Sequence, residues 1–209
     1  MYIPTLFKEE NIESLHGLMQ AYNFATLITI DNGVPFATHL PFVLDPTRGQ
    51  FGTLISHMAR ANPQWQHFTT ATEVLVIFQG PHTYISPSSY KSEFSVPTWN
   101  YAAVHAYGQP QLIVEQAKIQ QVLDNLVSQH ETPRAQPWTF TWSDRHINLT
   151  KAIVAFEIAI TRLEGKLKLS QNRSPDDQTS VINDLNNSSS RADQAVAKMM
   201  VANGQLNKL

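Results

Sequence analysis

The 209-residue chain contains no cysteine. That absence excludes disulfide staples, thiolate metal sites and cysteine nucleophiles together. An excess of positive charge is missing too: 15 Lys and Arg stand against 17 Asp and Glu, a formal net charge of −2. Such a balance provides no electrostatic footprint for a phosphate backbone, so direct DNA binding is not expected. No apolar run is long enough to span a bilayer. The opening residues Met1-Tyr2-Ile3-Pro4 carry neither the basic nor the apolar segment of a signal peptide, and the expectation is a cytoplasmic protein. The eight histidines are scattered, no HExxH or GxSxG occurs, and no carboxylate pair falls within an informative stretch. Zinc-dependent, serine-nucleophile and two-carboxylate catalysis therefore all lack a candidate.

What is present is enough apolar residue, 42%, to fill a core. Ile12, Leu15, Leu18, Met19 and Tyr22 share one face of an amphipathic helix over 9–22. Phe24–Ile30 alternates as a strand, Asn32-Gly33 signals a hairpin, and a return strand covers Val34–Leu44. Strands follow at about 51–57 and at Val74–Phe78, the latter interrupted by Gly80-Pro81 and resuming over 82–86. Val96–Gly108 opens a further strand to Val114, and Ile119, Val122, Leu123, Leu126 and Val127 mark a second helix. The tryptophans Trp138 and Trp142 anchor an irregular segment over 131–144. A last long strand starts near Val154 and passes Gly165, read as a bulge, toward Asn172. Ser174-Pro175 starts a short helix, and Ser190 with Asp193 resembles a capping box for a final one. About six strands with short connections and separate helices make an α+β protein with a barrel-like sheet. One domain over 1–185 and a linker with a helical tail over 186–209 are expected.

Three stretches offer chemistry. Ser56-His57-Met58-Ala59-Arg60-Ala61-Asn62-Pro63 leads from a strand end to a helix capped by Asn62. It reads equally as an anion cradle led by the Arg60 fork or as a capped helix beside an ordinary surface arginine. Thr98-Trp99-Asn100-Tyr101 reads as a core strand or as an aromatic bed with one amide for a flat polar ring. His39 in Thr38-His39-Leu40-Pro41 reads as a satisfied histidine or as a ligand contact.

Taken in order, several motifs resemble the PaiB family. They are Met1–Pro4, His39-Leu40-Pro41, His57-Met58-Ala59-Arg60-Ala61-Asn62-Pro63-Gln64-Trp65, Phe78-Gln79-Gly80-Pro81-His82, Val96–Tyr101 with Val104–Gly108, and Leu163-Glu164-Gly165-Lys166 with Lys168-Leu169-Ser170-Gln171-Asn172. Leu167 stands where the family usually has tryptophan. The resemblance covers residues 1 to about 185. It implies a split β-barrel of the FMN-binding, pyridoxamine-phosphate-oxidase-like kind with peripheral helices, a homodimer with flavin in the cleft between subunits, and the label of negative transcriptional regulator. An alternative within the same fold is a flavin-dependent oxidoreductase. With FMN as cofactor, Ser56, His57 and Arg60 become candidates for its phosphate, with Asn62 and His39 beside them. Trp99, Asn100, Tyr101, Ser170, Gln171 and Asn172 become candidates for the ring or the subunit interface.

Overall fold

The computed structural model describes residues 1–69 and 73–206. A two-residue strand, β1 (Lys8–Glu9), precedes helix α1 (Ile12–Ala21), which buries Leu15, Leu18 and Met19. Strand β2 (Phe24–Asp31) turns back through Asn32 and Gly33, at φ 49° and 83°, into β3 (Val34–Pro41). Two successive positive φ values match the right-handed twist of paired strands, and only a residue without Cβ takes the second at no cost. The expected single return strand ends at Pro41. After the buried Phe42, the segment β4 (Val43–Asp45) pairs with β5 (Thr53–Ala59) instead of β2.

A 3-10 helix, Pro63–Thr69, follows β5, and the Asn62 side chain caps it by accepting the Gln64 N–H at 3.0 Å. Strand β6 (Val74–Ile85) is continuous through Gly80 and Pro81, where an interruption is expected from sequence. It pairs with β2 only over Leu75–Ile77, so the N–H missing from Pro81 lies beyond that ladder and costs no bond in it. β7 (Thr98–Ile113) leads to α2 (Gln116–Glu131) and then to α3 (Asp144–Thr150), a helix the periodicity does not announce because only Thr150 of it is buried. β8 (Ile153–Lys168) carries Gly165 in plain register with Glu9, without the expected bulge. α4 (Pro175–Asn187), capped by Ser174, and α5 (Arg191–Leu206) complete the order.

The strands form one sheet in the order β3-β2-β6-β7-β8-β5-β4, with β1 beside β8, and every pairing with a resolved register is antiparallel. The chain divides into two compact units. The α1–α3 unit holds Ile12–Phe78 and His105–Leu163. Its core is a run of edge-to-face rings, Phe78–Phe42–Phe156–Phe68, with centroids 5.1–6.3 Å apart. A second apolar cluster seats Val122 and Leu126 of α2 on Ile55 and Ala155. Burying each such side chain stabilises the fold by roughly 1.5–3 kcal/mol.

The α4–α5 unit holds Met1–Asn11, Gln79–Val104 and the chain from Glu164 onward. Helices α4 and α5 pack together through buried Val181, Leu185, Val196 and Ala197. Two carboxylates of α4 hold the segment that follows β6, and one of α5 holds β6 itself. Asp177 accepts the Lys91 and Ser92 N–H groups at 2.8 and 3.1 Å as well as the Ser92 hydroxyl. Asp184 accepts the Ser89 hydroxyl at 2.6 Å, and Asp193 accepts the hydroxyls of Thr83 and Ser188.

Candidate functional site

The residues singled out from sequence fall into two groups, one in each unit. In the α1–α3 unit, strand alternation separates neighbours: successive side chains of a strand point to opposite faces. Ser56 is fully buried and its hydroxyl donates to the Pro41 carbonyl at 2.7 Å. His57 therefore stands on the other face, half-buried, and its Nδ1 has no hydrogen-bond partner. Burial holds its imidazole below the usual histidine pKa, so it is neutral at pH 7. The two residues do not face one ligand together. Arg60 donates from Nε to the Lys151 carbonyl at 2.7 Å and from Nη2 to the Ile153 carbonyl at 2.8 Å. That edge of the fork is committed, and the outer N–H groups of this exposed side chain remain. Asn62 caps the 3-10 helix and donates to Thr38 Oγ1 at 3.0 Å, which places it on the Thr38 face of β3. His39, on the opposite face, is exposed and shares a 2.9 Å hydrogen bond between Nδ1 and Thr26 Oγ1.

In the α4–α5 unit the first residues of β7 settle the orientation that sequence leaves open. Asn100, Ala102 and Val104 are fully buried, whereas Trp99 and Tyr101 stand on the other side. Asn100 donates to the Ser170 hydroxyl at 2.9 Å and lies 3.6 Å from the Met200 sulfur. Ser170 itself is buried and takes φ 65°, a left-handed conformation that a non-glycine residue adopts at some cost. Asn100 and Ser170 thus belong together on the helix side, away from the aromatic face. Gln171 is spent on the backbone, accepting from Leu169 N–H at 2.7 Å and donating to the Leu167 carbonyl at 2.5 Å. Asn172 is exposed.

The aromatic face holds residues that sequence reasoning passed over. Trp99, 53% exposed, meets His82 and Tyr84 of β6 at centroid distances of 6.3 and 6.1 Å. Tyr101 meets the Lys166 ammonium at 5.2 Å from its ring centroid. The signal was available: period-two spacing of 82 and 84, of 99 and 101, and of 166 and 168 puts each pair on one face of its strand. A cavity of about 520 Å³ opens in the α1–α3 unit against Asp45, Arg48, Val122 and Glu157, and none of the residues picked from sequence lines it. Among the described residues no group of three or more His, Asp or Glu is placed to hold a metal ion, and no helix is long and apolar enough to cross a membrane.

Comparison with known proteins agrees with this fold. Residues 1–162 match the family described as "Putative FMN-binding domain". The chain is 37% identical over 204 residues to the protease synthase and sporulation protein PAI 2 of Bacillus subtilis, with 96% of both chains covered. It is 30% identical to an uncharacterized protein of Emericella nidulans over 99% of this chain and 98% of that one. Among solved structures, the FAD and heme binding protein from Mycobacterium smegmatis superposes with a TM-score of 0.61 at 18% identity, over 83% of this chain and 78% of that one. The flavocytochrome Anf3 from Azotobacter vinelandii does so with a TM-score of 0.58 at 17% identity, over 77% and 69%. The sheet with its peripheral helices is a split barrel, and a match running nearly end to end with the Bacillus protein makes this chain a member of the PaiB family, built on an FMN-binding domain.

Proposed function

We propose that the chain works as a homodimer holding FMN noncovalently, and that it acts on gene expression indirectly, through the redox state of the flavin or through a partner. The observation that carries this reading is the open aromatic face of β7, where Trp99 stands half exposed beside His82 and Tyr84 with Tyr101 further along the strand. An indole and a phenol left uncovered on a strand suit a flat ring better than they suit water.

The donors present fit the cofactor. His57 offers a neutral ring nitrogen that is buried and unpartnered, and Arg60 keeps its outer N–H groups for a phosphate oxygen. The carbonyls of Lys151 and Ile153 fix the guanidinium plane, so these donors are oriented before any anion arrives. Asn62 holds the start of the 3-10 helix. In the other unit, the face of Trp99 and Tyr101 would be the one to orient a ring and exclude water from it. Ser56 and Asn100 support the backbone behind these groups. When bound, FMN supplies reversible hydride and electron transfer. The Bacillus relative's name ties it to protease synthesis and sporulation. A formal charge of −2 speaks for regulation without direct grip on DNA.

A flavin-dependent oxidoreductase is the second reading, favoured by the exposure of Trp99, which leaves room on the same face for a reducing substrate. The absorbance spectrum of the purified protein decides first. A flavin spectrum, or one acquired on adding FMN, is expected; a sample that stays colourless defeats both readings. Bleaching by NADH or NADPH with turnover selects the enzyme.

A further inference from the structure

The C-terminal end of β8 gathers positive charge that none of the roles above uses. Lys166 and Lys168 are two residues apart on the strand and share a face, opposite buried Leu167 and Leu169. Lys166 is only 8% exposed; its ammonium donates to the Tyr2 carbonyl at 3.1 Å and lies near the rings of Tyr2 and Tyr101. Lys168 donates to Thr98 Oγ1 and to the Trp99 carbonyl. Arg173, just past the turn, lays its guanidinium 4.3 Å from the centroid of Tyr90. Among the described residues no carboxylate comes within 4 Å of any of the three cations.

Partly buried like charges without counter-ions are unfavourable, and carbonyl and ring contacts offset only part of that. Burial, and then the charges of Lys166 and Arg173, hold the Lys168 ammonium below its ordinary pKa. Donors are also left over. Lys168 spends two of its N–H groups and Lys166 one, while the Arg173 guanidinium makes no hydrogen bond among the described residues. The Tyr90 hydroxyl beneath it is buried and has no partner either. In a chain of net charge −2, this is a local reversal of sign.

We propose that Lys166, Lys168 and Arg173 form a binding site for a phosphoryl group, built from residues other than those of the Ser56–Pro63 turn. Several unspent donors on three cations match a dianion with three acceptor oxygens better than a single carboxylate. The group arrives either on FMN itself or on a second phosphorylated small molecule. Only the first source rests on the FMN reading above, and it moves the flavin's single phosphate from Arg60 to this cluster.

The test measures dissociation constants of the full chain for inorganic pyrophosphate, FMN and riboflavin, in the wild type and in Lys168→Gln, Arg173→Gln, Arg60→Ala and Lys91→Ala. Pyrophosphate is expected to bind the wild type and Lys91→Ala alike, and to weaken roughly tenfold or more in Lys168→Gln and Arg173→Gln. If the phosphoryl group is the flavin's own, FMN weakens in those two variants toward the riboflavin value while riboflavin is unmoved. If it belongs to a second molecule, FMN holds and pyrophosphate alone is lost. Arg173→Gln removes no hydrogen bond of the fold, so it decides should Lys168→Gln melt early. No pyrophosphate binding to the wild type, or equal binding in all variants, overturns the site. Failure of the wild type to take FMN or riboflavin defeats the cofactor reading alone, because the pyrophosphate comparison still stands.

Discussion

A histidine buried with one ring nitrogen unpartnered cannot gain a proton as easily as it does in water. For His57 the folded chain disfavours the imidazolium, so the unfolded chain takes up the proton first. As pH falls below about 6.5, the unfolded-state value, stability is lost until the lower folded pKa is passed. His57→Gln should flatten this part of the pH profile in urea melts; an unaltered slope would show that His57 does not set it. Arg60→Ala is expected to weaken FMN retention by about tenfold or more, the loss of a charge-assisted hydrogen bond, and more than Lys91→Ala does; equal losses would refute a phosphate contact at Arg60. Asn100→Leu leaves the buried Ser170 hydroxyl without its partner and should cost about 1–3 kcal/mol in denaturant melts. At this scale residue types were legible but directions were not. Asn100 lies between two aromatics in sequence and faces away from both in space, because a strand sends neighbours to opposite faces. Gln171, a polar side chain in a motif, is consumed by its own backbone.

Strands that alternate cleanly were the elements best read in advance. β2, the Asn32-Gly33 turn and the start of β3, and β7 from Thr98, match their expected positions because local chemistry alone decides them. Elements decided by partners at a distance were not legible. The break at Phe42 exists because β5 claims Val43–Asp45, and β6 continues through Pro81, which lies past the end of its ladder with β2. Close approach also hides in sequence: a Cβ on Gly108 would lie 2.2 Å from the Ala159 carbonyl oxygen. Gly108→Ala must push β7 from β8 and should cost several kcal/mol, roughly the upper range for single substitutions. A melting temperature within a degree of wild type would mean that the two strands part easily. Helix α4 holds the segment after β6 by Asp177 and Asp184, while Asp193 of α5 holds Thr83 of β6 and Ser188. The Ser92 hydroxyl lowers the pKa of Asp177, and the hydroxyls of Ser188 and Thr83 lower that of Asp193. Folded pKa values below the unfolded value of about 3.9 add stability above it, and that stability fades as pH falls through the folded values. Hydrogen exchange should show residues 86–95 opening below about pH 4; protection persisting there would show that the carboxylates do not hold them.

For the whole molecule, composition and patterning reached an α+β chain with a barrel-like sheet, and FMN and the split barrel came from the resemblance to the PaiB family, which the family match and the Bacillus relative bear out. Dimerisation lies beyond what one chain displays, and light scattering in solution should return twice the 23.5 kDa chain mass. A single-chain mass would remove the subunit cleft from the proposal. Both compact units are built from separated stretches of chain, and β6, β7 and β8 each pass from one into the other. One consequence concerns the birth of the protein. The strand partner of Lys8 is Lys166, and a ribosome adding about 5–20 residues per second needs roughly ten to thirty seconds to travel between them. Throughout that interval β1 has no strand to pair with, and the Tyr2 carbonyl lacks the Lys166 ammonium that holds it in the folded chain.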